Sequence, residues 1–147
     1  MFVARSFDVN RPGTPIHDLV GGVLGGALKH GELHVGDALE IRPGASVERE
    51  GKKQYYPLTT TVTSLVAGEL SLQSVGPGGS IAVRTQLDPS YVKADSLTGA
   101  IVGKPGTLPP VWQEFDLKPE LLRRVVGLKE DMEVATIKKG ETLMLNV

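Results

Sequence analysis

The sequence contains no cysteine. That excludes disulfides, thiolate nucleophiles and cysteine-bound metals together, and it accords with a reducing compartment. Aromatic residues are few: three Phe, three Tyr and one Trp in 147 residues. Their scatter argues against a single concave, aromatic-lined ligand site. No apolar run approaches the roughly 18 residues of a membrane span. The N-terminus lacks the basic and apolar blocks of a signal peptide, so a soluble cytoplasmic protein without a membrane partner is the expectation. Neither sign of charge dominates, since 16 basic and 17 acidic side chains leave a formal charge of −1. Any RNA contact must therefore be local.

Catalytic signatures are missing as well. A phosphate-cradling loop needs glycines followed by lysine and a hydroxyl residue. Gly21-Gly22-Val23-Leu24-Gly25-Gly26 has no such pair, and Gly76-Pro77-Gly78-Gly79 has a serine but no lysine. Both read as turn and curvature glycines. There is no Gly-x-Ser-x-Gly elbow, and the spacing of the carboxylates places no two of them in one pocket. His30 and His34 flank Glu32, but on an extended chain residues four apart lie about 13 Å from each other. They read as surface histidines, and no metal site is expected. Arg123, Arg124, Lys118 and Lys129, with Lys138-Lys139, are interleaved with Glu120, Glu130 and Asp131. That mixture reads as a solvated charged face, and Trp112 and Tyr55-Tyr56 as core or rim packing. No enzyme is expected.

What the chain has is glycine, proline and β-branched residues. Its 18 glycines and 10 prolines punctuate short runs rich in Val, Leu, Ile and Thr, the pattern of an all-β protein. Phe2 to Val9 alternates as a strand with Val3 and its period-two neighbours on one face, and Asn10 to about Gly21 reads as a turn and exposed loop. Gly22–Lys29 and Val35–Arg42 read as a hairpin pair, with the glycines between 21 and 26 marking a bend, a bulge or a close backbone approach. A polar loop is expected from Ser46 to Gln54. The longest strand follows at Tyr55–Ala67, then Leu70–Val75, Ser80–Thr85 and Thr98–Val102. These make a small closed barrel over residues 1–106. Lys104-Pro105-Gly106-Thr107-Leu108-Pro109-Pro110 breaks the pattern, and residues 107–147 read as a linker and the opening strands of a second, incomplete β-domain. Val111–Leu117 alternates like a strand, Glu120–Leu128 is open between helix and strand, and Glu141–Val147 is a strand that simply stops, as in a truncated domain.

Several segments carry a resemblance. Ala4-Arg5-Ser6-Phe7-Asp8-Val9-Asn10-Arg11-Pro12-Gly13-Thr14, Asp18 through Gly26, Val35-Gly36-Asp37 with Glu40-Ile41-Arg42-Pro43-Gly44, Leu87-Asp88-Pro89, and Leu121 through Gly127 resemble, in order and spacing, the gamma subunit of archaeal and eukaryotic translation initiation factor 2. The likeness is nearer to the archaeal form. It implies an elongation factor Tu-like second barrel plus the start of a third domain, taken from an excised, engineered or rebuilt piece of a longer protein, with Met1 supplied by cloning. GTP and magnesium would belong to the family's GTPase domain, which this chain lacks, so no cofactor is expected here.

The resemblance also implies partners: initiator methionyl-tRNA, the alpha subunit, and the GTPase domain of the same parent protein. The positions matching the tRNA 3′-end pocket of related factors are Gly22, Val23, Leu24, Ser64, Leu65 and Arg84. Glycine would let a terminal nucleotide approach the backbone, apolar side chains would face its adenine, and Arg84 would meet a phosphate. Val23 and Leu24 read equally as barrel core. Alpha docking is placed on the exposed loop through Asn10, Arg11, Thr14, His17 and Asp18. Unpaired edges in the incomplete third domain leave strand exchange and a homodimer open. The alternatives are a stand-alone small-ligand-binding barrel, or the barrel of a paralogous translational GTPase such as the selenocysteine-specific factor.

Overall fold

The computed structural model describes residues 1–112, 114–121 and 136–142. The chain divides into two compact units, Met1–Val111 and Trp112–Val147. The strands of the first unit are β1 (Phe2–Phe7), β2 (Val23–Ala27), β3 (Leu33–His34), β4 (Ala38–Arg49), β5 (Lys52–Ala67), β6 (Leu70–Leu72), β7 (Ser74–Val75), β8 (Ile81–Thr85) and β9 (Ile101–Gly103). Hydrogen bonding runs β4-β9-β1-β2-β8-β5 and returns from β5 to β4. The all-β expectation of a small closed barrel is met, as a six-stranded antiparallel ring. Strand β6 extends from β5, and β3 pairs with β7 in a separate two-stranded sheet. Among the described residues no helix is long and apolar enough to cross a membrane.

Apolar side chains from every strand of the ring meet inside. Leu24, Val83 and Leu65 are neighbours across β2, β8 and β5, and all three are fully buried, as is Ile41 of β4. Burying such side chains is the main favourable term in closing the ring.

The glycines of β2 act as proposed. Strand β1 bulges between Val3 and Arg5 opposite Gly25 and Gly26, and a Cβ on Gly26 would sit 1.9 Å from the Phe2 carbonyl oxygen. The bulge also corrects the expected period of two in β1: the buried residues are Val3 and Ser6, three apart, because the extra residue shifts the phase. Two further readings are overturned. β2 and β4 are not hairpin partners, since β2 lies between β1 and β8 while β4 lies between β5 and β9. The polar stretch after Ser46 is no loop but the outer half of a long β4–β5 hairpin, turned by Glu50 (φ 52) and Gly51 (φ 72). Consecutive positive φ values are what a two-residue hairpin turn requires. The arm is exposed on both faces, so it carries no hydrophobic alternation for sequence reading to detect.

Side chains close what the ladder leaves open. Strand β9 reaches β1 only at Phe2, and the segment before it covers the rest of that edge. Asp95 Oδ1 accepts from the Ser6 amide at 3.0 Å and pairs with Arg5 Nε at 2.8 Å, while the Leu97 amide donates to Ser6 Oγ at 3.1 Å. At the β4–β9 seam the buried Glu40 accepts from Arg42 Nε and from the Gly106 amide, each at 2.6 Å, and Arg42 Nη1 donates to the Pro109 carbonyl at 2.8 Å. The residues just past β9 are thereby tied to the barrel.

In the second unit, none of the described residues lies in a strand. The alternation of Val111–Leu117 does not become a strand at the residues described. Around the Lys139-Gly140 turn the Lys138 amide donates to Glu141 Oε2 at 2.9 Å. Most of Glu120–Leu128, the end of the terminal strand, Arg123, Arg124 and Lys129 lie outside the described residues. So do residues 143–147, on which the expectation of unpaired strand edges and a homodimer partly rests.

Truncating Leu24 to Ala is expected to destabilise the barrel by about 2–5 kcal/mol, measured by denaturant unfolding. The pH response follows from Asp95 and Glu40. The hydrogen bond from Arg5, then that from Ser6, holds the Asp95 carboxyl below its ordinary range. The Gly106 amide, then Arg42, does the same for Glu40. Both groups titrate lower folded than unfolded, so they stabilise fully above the unfolded values near about pH 4 and lose that contribution as pH falls through the folded ones. Thermal melts are expected to drop steeply below about pH 4, and less steeply in Asp95→Asn, which starts from a lower Tm at neutral pH.

Candidate functional site

The loop between β1 and β2 is exposed but not slack. Asn10 acts as a latch across its neck: Nδ2 donates to the Val20 carbonyl and Oδ1 accepts from the Val20 amide, both at 2.8 Å. Asp8 Oδ1 steadies the latch, accepting from the Asn10 amide at 2.8 Å and from Nδ2 at 2.7 Å. Those two bonds hold the Asp8 carboxyl below its ordinary range. Within the loop, the Thr14 amide and hydroxyl both donate to the Arg11 carbonyl, and Ile16–Asp18 forms a single 3-10 turn. Side chains that bond nearby backbone in this way fix irregular segments in one shape.

Of the residues proposed for docking, Arg11, His17 and Asp18 are exposed, whereas Asn10 and Thr14 chiefly hold the loop together. Sequence reading missed Ile16. It is 88% exposed at the crown of the 3-10 turn, and with Leu19 and Val20 it lines a cleft of about 490 Å³. An apolar residue directly after proline in a polar loop was the available signal. The opposite side of the cleft is the exit of β8, including Arg84, Gln86 and Leu87.

The six positions matched to a tRNA-end pocket do come together. Val23, Arg84 and Ser64 form one row across β2, β8 and β5, and Leu24 and Leu65 flank Val83 in the next. Their roles divide, however. Leu24 and Leu65 are fully buried core, so they present no apolar face to a base. Gly22 leaves no open approach either. A Cβ there would meet Val92 Cγ2 at 2.5 Å, so the space belongs to Val92. Its amide donates to the Leu87 carbonyl at 2.9 Å, and its carbonyl accepts from the Thr85 amide at 3.0 Å and from Thr85 Oγ1 at 2.8 Å. Arg84 is exposed and Ser64 half-buried, and of the six these two hold polar side chains that a ligand could reach. His34 lies 3.5 Å from Glu32 and 3.6 Å from Asp37, an exposed cluster at the tip of β3.

A closed six-stranded antiparallel ring, with a latched and apolar-tipped loop beside an exposed arginine, defines the class as a small all-β barrel domain. Comparison with known proteins specifies the family. The family profile described as "Initiation factor eIF2 gamma, C terminal" matches residues 113–147. Translation initiation factor 2 subunit gamma of Methanothermobacter thermautotrophicus is 54% identical over 147 residues, covering 100% of this chain and 36% of that protein. The subunits of Thermococcus kodakarensis and Methanocaldococcus jannaschii are 53% and 52% identical over the same shares. The chain belongs to the translation initiation factor 2 gamma family, and it spans 36% of the length of these relatives.

Gly22→Ala is expected to destabilise the fold by about 1–3 kcal/mol through overpacking against Val92. Val92→Ala introduced on top of it should restore part of that loss, and a thermodynamic cycle of the two changes reads the coupling.

Proposed function

We propose that this chain is a non-catalytic contact module of the gamma subunit of translation initiation factor 2. Its β1–β2 loop docks the alpha subunit, and Arg84 and Ser64 meet the acceptor end of initiator methionyl-tRNA. GTP and magnesium belong to a separate GTPase domain in the remaining length of the relatives, and this chain takes no part in hydrolysis. The observation that carries the reading is that Ile16 and Arg84 line the same cleft. That arrangement supports a subunit surface lying directly beside an RNA contact.

The chemistry suits both roles. A rigid loop loses little conformational freedom on binding, so an exposed Ile16 is available as an anchor at low ordering cost. Arg84 projects outward from a buried β-strand, which gives its guanidinium a fixed base from which to fork onto a phosphate. One arginine supplies a local contact and no broad field, in keeping with the near-zero net charge.

A pull-down with the C-terminal domain of an archaeal alpha subunit at moderate salt tests the first role. Ile16→Asp is expected to abolish capture, and undiminished capture would place docking elsewhere. For the second, Arg84→Ala is expected to weaken binding of a 3′-CCA acceptor oligonucleotide about tenfold or more, the loss of one charge-assisted contact. An unchanged titration would remove Arg84 from the site.

A further inference from the structure

The arm formed by the outer halves of β4 and β5 leans over the segment that follows β8, and a cleft of about 630 Å³ lies between them. The chain has three tyrosines, and Tyr55, Tyr56 and Tyr91 all line this cleft. In the sequence they look scattered. The fold brings all three to one cleft, Tyr55 and Tyr56 from alternate faces of β5 at the root of the arm and Tyr91 from the end of the 3-10 turn Pro89–Tyr91. Each is between 39% and 45% exposed, while Leu97 and Ala100 on the lining are buried and Pro43 contributes a further ring.

The backbone that carries Tyr91 and the hydroxyl of Tyr56 are tied down by hydrogen bonds. Asp88 caps the turn that carries Tyr91, accepting from the Ser90 amide at 2.8 Å, and the Ser96 hydroxyl donates to the Tyr91 carbonyl. Tyr56 Oη donates to Gln54 Oε1 at 3.0 Å. Ser46 and Ser90 add hydroxyl groups to the lining, whereas the Thr98 hydroxyl donates to the Ala4 carbonyl at 3.3 Å. Among the described residues that line it, Lys53 is the one with a charged side chain, and Glu48 is its cross-strand partner.

We propose that this cleft docks an extended, proline-rich peptide segment with an acidic residue at the end that meets Lys53. A polyproline II chain leaves its carbonyls free of internal hydrogen bonds and presents ring-shaped ridges. Tyrosine rings receive the ridges, and the Ser46 and Ser90 hydroxyls donate to the carbonyls. The charge census decides against a single-stranded nucleic acid, which also stacks on aromatics but draws most of its affinity from rows of cations along its phosphates. A single lysine facing a glutamate does not make such a row.

The test is fluorescence polarisation with the full 147-residue chain. The probe is a labelled peptide of eight prolines followed by two aspartates, and a labelled ten-residue oligouridine serves as competitor class. Saturable peptide binding is expected to weaken at least about fivefold in Tyr91→Ala and Tyr55→Ala, the loss typical of an aromatic anchor. Tyr91→Phe should retain it and Lys53→Glu should reduce it, with circular dichroism confirming that each variant folds. Ile16→Asp, which removes the proposed alpha contact, should leave peptide binding unchanged, so the two proposals fail separately. The proposal is overturned if the wild type shows no saturable peptide binding, if both tyrosine truncations are silent, or if oligouridine binds in preference and Tyr91→Ala abolishes that binding.

Discussion

Ring closure at β4 is the constraint on which the other features depend. Ala38–Ile41 pair with Thr61–Leu58 of β5, and Glu40–Arg42 pair with Gly103–Ile101 of β9, so both neighbours are satisfied along one short stretch. Without it β5 and β9 would be exposed edges, and the barrel would be an open sheet with half its core wet. The seam contains a buried carboxylate. Glu40 is tolerated because each of its oxygens accepts a short hydrogen bond, from Arg42 and from Gly106. A buried charge with full hydrogen bonding costs far less than one left alone.

The functional surfaces follow from that closure. β2, β8 and β5 sit side by side in the strand order of the ring, and this adjacency brings Val23, Arg84 and Ser64 into one row although they lie far apart in the chain. The part of the β4–β5 hairpin that continues beyond the ring is exposed among the described residues and becomes the arm. The segment Tyr91–Ala100, needed to cover the uncovered edge of β1, then forms the other side of the tyrosine cleft. Each candidate surface is a by-product of where the ring closes and what is left over.

The glycine-rich stretch at β2 shows how a conspicuous motif can be structural throughout. Gly21 and Gly26 each face a carbonyl oxygen 1.9 Å from where a Cβ would be, and Gly22 faces Val92. Their role is to let two neighbouring pieces of backbone and one side chain approach β2, which explains why the motif carries no lysine or hydroxyl partner. The family likeness rests on the same residues. Segments that carry the family likeness, such as Glu40-Ile41-Arg42 and Leu87-Asp88-Pro89, form the seam ion pair and the cap of a 3-10 turn. They carry architecture before they carry any contact with a partner.

The sequence by itself determined the all-β class, the punctuation between strands, the exposed loop after β1 and the family, because turn residues, branched runs and residue order are local properties of the chain. It could not reveal the β4–β5 arm, whose polar faces look like a loop until its backbone pairs. Nor could it separate Leu24 and Leu65, buried in the core, from Arg84 on the surface, because the side of a strand that faces inward depends on irregularities such as the register shift between Val62 and Ser64 in β5. Only the tertiary structure made Ile16 and Arg84 neighbours across one cleft and gathered three tyrosines into another. Burial and proximity come from which strands share a ladder, and that is settled by the closing of the ring as a whole.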